Sequence, residues 1–374
     1  MFKLSNGSVK ISKNGFVDIL ESNPIKVWDR KVPNTELDRF KSVVEKKYGK
    51  QFDSYWDLHK WSVENYTDFW KEIWYFFDVV HSKPFEKVLK KTGPGFLDNE
   101  WFSGARLNFA ENLMRIRDDR LALVCLDELG NEDSVTFAQM HEEVRQYAAA
   151  FRKHGLGIGD RVACAPNATK VVVLPTQPDT IPRLSEIPKS ILLEDFLKSG
   201  RTSDGEVPEL KFEQLPFDHP VAINFTSGTP GLPKGVLHSP GGKTFMCVLR
   251  DFGMHLNLKN GDTVYTYCPV GWSVWDNPIP ALALGVKLFL FCGSPEYSKK
   301  GFTLWDCFSK YKITYACLTP ACFDSIENNN IFPEPGMNFD SLKIIALGAS
   351  PSKIRNFEFF HKYVKKDLFV SSIY

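Results

Sequence analysis

These 374 residues have no excess of charge, no closely spaced cysteine pair and no apolar run long enough to cross a bilayer. Lys and Arg number 46 against 45 Asp and Glu, a formal net charge of +1. Proteins whose main partner is nucleic acid or an anionic membrane surface need an uncompensated basic face, so the balance argues against both classes. Eight cysteines are scattered singly and none falls in a C-x-x-C pair. The closest two, Cys317 and Cys322, have no His at ligand spacing, which argues against a zinc site. Buried free thiols in a reducing compartment are the reading that remains. The start, Met-Phe-Lys-Leu-Ser-Asn-Gly-Ser, lacks the apolar core of a signal peptide. The longest apolar stretch, Ile279 to Cys292, contains Lys287 and is too short for a membrane span. A cytosolic protein is the expectation, and the N-x-[ST] match at Asn224-Phe-Thr226 then carries no glycosylation meaning.

What the chain does have is apolar material: 43% hydrophobic and 14% aromatic residues, thirty of them Phe. That composition excludes disorder as the dominant state. The length suggests about two domains, or one large α/β domain with an appendage, at roughly 150 residues per domain. Six of the nine Trp precede residue 102, so the chain changes character along its length. Apolar spacing predicts a helix over Leu37 to Tyr48 and a second starting near Ser62, with Tyr66, Phe69, Trp70, Trp74 and Phe77 in one stripe that packs on another domain.

From Leu121 onward strands and helices alternate. Strands are predicted at Leu121 to Leu126, Asn131 to Thr136, Arg161 to Ala165 and Val171 to Leu174. Others follow at Val221 to Thr226, Gly235 to His238, Thr263 to Tyr267, Lys287 to Phe291, Tyr315 to Leu318, Lys343 to Leu347 and Leu368 to Ile373. Phe137 to His154 is helical, ended by Gly155, Gly157 and Gly159. Gln177 to Pro188 reads as a surface connection. The pattern is α/β with at least partly parallel sheets packed with helices.

The segment Phe225-Thr-Ser-Gly-Thr-Pro-Gly-Leu-Pro-Lys-Gly235 joins two predicted strands. Its glycines allow a tight turn with backbone N–H groups facing one point, its hydroxyls add donors, and Lys234 adds a positive charge, a combination suited to phosphate oxygens. It is not a Walker A loop: Pro233 stands where that motif needs Gly, and no Ser or Thr follows Lys234. The segment resembles the phosphate-binding signature of the acyl-adenylate-forming, AMP-binding enzymes, matching at Thr226, Ser227, Gly228, Thr229, Gly231, Pro233, Lys234 and Gly235. Pro230 departs from it, removing a hydroxyl and a backbone N–H.

Other segments resemble the acetyl- and acetoacetyl-CoA synthetase branch of that family: Leu58-His-Lys-Trp-Ser-Val-Glu64, Trp101-Phe-Ser-Gly-Ala-Arg-Leu-Asn-Phe-Ala-Glu-Asn-Leu113, Gln214-Leu-Pro-Phe-Asp-His-Pro220 and Val270-Gly-Trp-Ser-Val-Trp275. The resemblance implies residues 1–115 as an aromatic-rich helical N-terminal extension and 116–374 as an incomplete AMP-binding (adenylation) domain. It implies an ATP-dependent acid–CoA ligase of lipid and ketone-body metabolism. Acetoacetate, ATP and coenzyme A would give acetoacetyl-CoA, AMP and pyrophosphate through an acyl-adenylate, with Mg²⁺ on the phosphates. Thr226, Ser227, Gly228, Thr229, Gly231 and Lys234 would hold ATP phosphates, Gly348, Ala349, Ser350 and Pro351 would flank the adenine, and Trp272 would line the acyl pocket. No protein metal ligand is implied. A ligase of another short acid such as acetate, or a non-catalytic chain that binds nucleotide weakly or a partner surface, are readings left open.

Two departures carry expectations. Only Pro166 to Lys170 separates two predicted strands, too few for a parallel crossover, so a block of the nucleotide-binding half is expected to be absent and nearby apolar residues to face solvent. The sequence stops at Ser371-Ser-Ile-Tyr374, before the family's acidic loop, ribose-binding Asp and small C-terminal domain. No residue matches the family's catalytic Lys, so the 374 residues alone are expected to be inactive.

Overall fold

The computed structural model describes residues 10–11, 17–18, 32–95, 98–162, 171–174, 183–226, 231–240, 249–268, 272, 274–297, 299 and 302–373. The chain divides into two compact units, Met1–Pro33 and Asn34–Tyr374. The first contains a short antiparallel pair, Lys10–Ile11 with Val17–Asp18. Everything below concerns the second.

Three helices open that unit: α1 (Glu36–Tyr48), α2 (Tyr55–Glu64) and α3 (Tyr66–Phe76). Thr35 caps α1 with Asp38, and Ser54 caps α2 with Asp57, each a reciprocal capping box. The helix expected to start near Ser62 is therefore corrected to two helices. Ser62 sits inside α2, where its hydroxyl donates to the carbonyl of His59 at 2.7 Å instead of capping. The aromatic stripe packs within its own unit: Trp74 is buried and stacks on Phe102 at 4.9 Å, while Tyr66 stays exposed. Glu72, also buried, is held by Lys47 and the Tyr48 hydroxyl, both at 2.8 Å.

The centre is a seven-stranded sheet. Its members in chain order are β1 (Leu121–Asp127), β2 (Glu132–Thr136), β5 (Thr263–Thr266), β6 (Lys287–Cys292), β7 (Tyr315–Leu318), β8 (Ile344–Leu347) and β9 (Phe369–Ser372). The numbers β3 (Ala222–Phe225) and β4 (Gly235–His238) belong to a separate antiparallel hairpin. The sheet order is β9-β8-β7-β5-β6-β1-β2. All neighbours are parallel except the β1–β2 hairpin at one edge. One face, carrying Val124, Tyr265, Phe289, Ala316, Ile345 and Val370, is buried with Trp305, Phe308, Phe323, Phe359 and Phe360. These come from α6 (Leu304–Lys310), α7 (Pro320–Asn328), α8 (Ile354–Phe359) and the turn after it. The opposite face packs Val264, Leu288, Tyr315, Cys317 and Ala346 against Phe137, Met140, Ala281 and Leu282. The expected α/β layering is present on both sides.

The region around the short connection differs from expectation. Arg161 and Val162 lie outside any strand, a correction to the predicted strand Arg161 to Ala165, whose remaining residues lie outside the described ones. Val171–Val173 pairs in parallel with Ser190–Leu192, so its partner is supplied from beyond the short connection. Of the expected surface connection Gln177 to Pro188, the part from Arg183 on is described and holds a 3₁₀ turn at Leu184–Glu186; that strand and a helix, α5 (Leu193–Ser199), follow it. Phe196 of α5 packs on Phe151 of α4 (Phe137–Lys153) at 5.1 Å, so this apolar residue near the short connection is covered and not left to solvent. Ile158, Val162 and Leu174 do face solvent, with exposures of 65%, 68% and 60%.

Candidate functional site

The phosphate-loop candidate sits at the turn of the β3–β4 hairpin. Register pairs Gly235 with Phe225, Leu237 with Ile223 and His238 with Ala222. Period-two alternation puts Ile223, Phe225 and Leu237 on one face, all exposed, and Ala222, Asn224 and Val236 on the other. The hairpin continues one step past its last strand pair: Thr226 N–H donates to the Lys234 carbonyl at 3.0 Å, and Lys234 N–H donates to Thr226 Oγ1 at 3.1 Å. Thr226, Gly231 and Lys234 are thereby gathered at one exposed end. Gly231 has φ +122, a left-handed backbone that favours glycine, and a Cβ there would meet nothing within 4 Å. Ser227, Gly228, Thr229 and Pro230 lie outside the described residues.

Asn224, which the motif reading passed over, lies at the root of this loop. Its Nδ2 is buried and has no hydrogen-bond partner among the described residues. Such an orphan is costly to bury. The signal was in the sequence: a polar residue in an otherwise apolar strand, two positions before Thr226.

The adenine-loop candidate, Gly348 to Pro351, follows β8 at the carboxyl edge of the parallel sheet, where α/β folds place ligands. Gly348 is buried between two neighbours: its N–H donates to the Leu318 carbonyl at 3.0 Å, and a Cβ on it would stand 3.2 Å from Cγ1 of Ile373. Ala349 has φ +69 and is exposed. Behind the loop, Ser352 Oγ donates to Ser372 Oγ at 3.0 Å, and α8 is anchored to α7 through Asp324. Asp324 accepts from Lys353, from Arg355 at 2.8 Å and from Asn356 Nδ2 at 3.1 Å. Burial pushes the Asp324 carboxyl upward in pKa, but these three donors outweigh it and hold the group at about 2. They fix the loop's far end.

Trp272 is half exposed, and its carbonyl accepts from Trp275 N–H at 2.9 Å. Trp275, together with Leu123, Thr266, Leu288 and Leu290, lines an apolar cavity of about 230 Å³ on the sheet. Among the described residues no group of three or more His, Cys, Asp or Glu could hold a metal ion.

With this geometry in view, residues 168–374 match the family "AMP-binding enzyme" and residues 55–113 match "Acetyl-coenzyme A synthetase N-terminus". Acetoacetyl-CoA synthetase of Gallus gallus is 32% identical over 433 aligned positions, covering 95% of this chain and 64% of the relative. Malonamoyl-CoA synthetase of Penicillium aethiopicum is 24% identical, covering 93% and 60%. The solved structure of acetoacetyl-CoA synthetase from Streptomyces lividans superposes with a TM-score of 0.81 at 24% identity, covering 93% of this chain and 64% of that one, which fixes the fold. This chain thus spans about 64% of the length of the acetoacetyl-CoA synthetase relative from Gallus gallus. Since 95% of 374 residues is about 355, the 433 aligned positions include about 78 that the avian relative fills and this chain does not.

Proposed function

The chain belongs to the AMP-binding enzyme family, and from that premise we propose that it is the nucleotide-binding part of an acid–CoA ligase whose acid is acetoacetate. Residues 1–115 form the N-terminal extension and 116–374 the adenylation domain. The observation that carries the reading is the clasped turn between Thr226 and Lys234. A turn whose ends are closed by Thr226 and Lys234 and which carries one ammonium group suits triphosphate oxygens, and preorganised charge is what phosphoryl-type transfers use. Lys234 would neutralise charge on the departing pyrophosphate, and the family resemblance assigns Ser227, Gly228, Thr229 and Gly231 to the same phosphates. Gly348, Ala349, Ser350 and Pro351 would let a flat adenine approach the backbone. Trp272 would face the acyl group.

In the reaction the acid's carboxylate attacks the α-phosphorus of ATP, the bond to pyrophosphate breaks, and the coenzyme A thiol later displaces AMP. Mg²⁺ would enter on the nucleotide phosphates, since the described residues offer no carboxylate cage for it, and no step here is assigned to it. No helix among the described residues is long and apolar enough to cross a membrane. A cytosolic site of action agrees with the free thiols of Cys292, Cys307, Cys317 and Cys322 among the described residues.

A second reading has its own support. About 78 positions filled in the avian relative have no counterpart here, and Phe225, Leu237 and Val162 face solvent. On this reading the 374 residues bind nucleotide without forming an acyl-adenylate. Acid-dependent exchange of labelled pyrophosphate into ATP separates the two. Exchange with acetoacetate but not acetate supports the ligase, ATP binding without exchange supports the second reading, and neither binding nor exchange overturns both.

A further inference from the structure

A groove of about 590 Å³ lies between α2, α3 and the segment Leu249–His255, and none of the residues assigned above to nucleotide or acyl group lines it. Its size is that of a small-molecule site. The floor is dry: Leu58 and Met254 are 4% and 2% exposed. The walls carry Tyr55, Tyr66, Phe69 and Trp70, and Tyr55 and Tyr66 remain 46% and 42% exposed where a fold alone would gain by covering them. Arg250 closes one side with its guanidinium 5.6 Å from the Trp70 ring centroid. Its Nε and Nη2 donate to Asp251 Oδ1 at 3.0 and 2.7 Å, so the charge is balanced within the protein, and Nη1, which makes no hydrogen bond among the described residues, is left as a directional donor. The protein packed around His255 lowers its pKa, and Arg250 lowers it further, so the ring is a neutral donor–acceptor at pH 7.

We propose that this groove binds a neutral, planar heteroaromatic molecule of the purine-base class, stacked on Tyr66 and hydrogen-bonded along its edge by Arg250 and His255. The walls come mainly from helices, whose backbone groups are largely spent on themselves, so the groove offers side-chain edges and ring faces rather than the backbone ladder an extended peptide needs. An anionic ligand would have to displace Asp251 from Arg250. A neutral ring with alternating donors and acceptors needs no such exchange.

The test uses adenine base, which has no phosphate to engage the hairpin loop. Saturation-transfer NMR and calorimetry on the full 374-residue chain should show saturable binding at about 1 mM or tighter. Arg250→Gln and Tyr66→Ser should each weaken binding about five-fold, the scale of one lost hydrogen bond or stacking contact. Unchanged circular dichroism in both variants separates this from unfolding. Absence of saturable binding, affinity indifferent to both variants, or preference for benzoate over adenine would overturn the proposal.

Discussion

Lys234 donates its backbone N–H to the Thr226 hydroxyl at 3.1 Å while its carbonyl accepts from the Thr226 N–H at 3.0 Å. The side chain that the family resemblance marks for phosphate thus also ties the loop shut. The oxygen accepts, which leaves its own hydrogen free to donate outward. Thr226→Val should remove the clasp and loosen the loop by about 1 kcal/mol, whereas Thr226→Ser should keep it. Hydrogen exchange over residues 225–236 reads the difference. Equal protection in both variants would show that the hydroxyl does not hold the turn.

Asp324 ties α7 to α8 behind the adenine-loop candidate. Its native pKa of about 2 lies below the ordinary 3.8, so it stabilises the fold above about pH 4, and that contribution is lost as pH falls through about 2. The scale is about 2 kcal/mol. Asp324→Asn should cost that much at pH 7 and nearly nothing near pH 2, measured by urea unfolding across pH. A cost independent of pH would mean that shape, not charge, makes the joint.

Ala349 holds φ +69, a left-handed backbone that costs an L-residue about 1 kcal/mol. Ala349→Gly should be neutral or stabilising by up to about 1 kcal/mol, and Ala349→Val destabilising by about 1–2 kcal/mol. Thermal unfolding checks both signs. A neutral Val would show that the turn relaxes without strain.

Burial pushes the Cys307 and Cys322 thiols up to about 12, while Cys292 is exposed. Iodoacetamide at pH 8 should therefore modify Cys292 in the native chain and reach Cys307 and Cys322 only after denaturation, as read by peptide mass spectrometry. Native labelling of Cys322 would place α7 in a looser packing than described.

Much of the sheet was readable because its strands are short apolar runs between turn residues: Tyr315–Leu318 falls where the pattern puts it. The hairpin was readable for the same reason, since a Gly-rich loop stood between two β-prone runs. What escaped notice depended on choices between equivalent signals. Ser54 and Ser62 both look like helix starts, and only the reciprocal bond from Asp57 decides for Ser54. α5 is seven residues long and buries one aromatic, too little for periodicity to register. The Asp324 joint is legible only in three dimensions, because its meaning lies in the donors that reach it.

The claim that the turn between Thr226 and Lys234 holds a nucleotide triphosphate is tested most directly by calorimetric titration of ATP into this chain and its Lys234→Ala variant, at matched salt and with matched circular dichroism. The account predicts saturable binding by the parent chain and an affinity lower by about ten-fold or more in the variant, the value of one charge-assisted contact. Binding that Lys234→Ala leaves unchanged, or no binding by the parent chain, would contradict it.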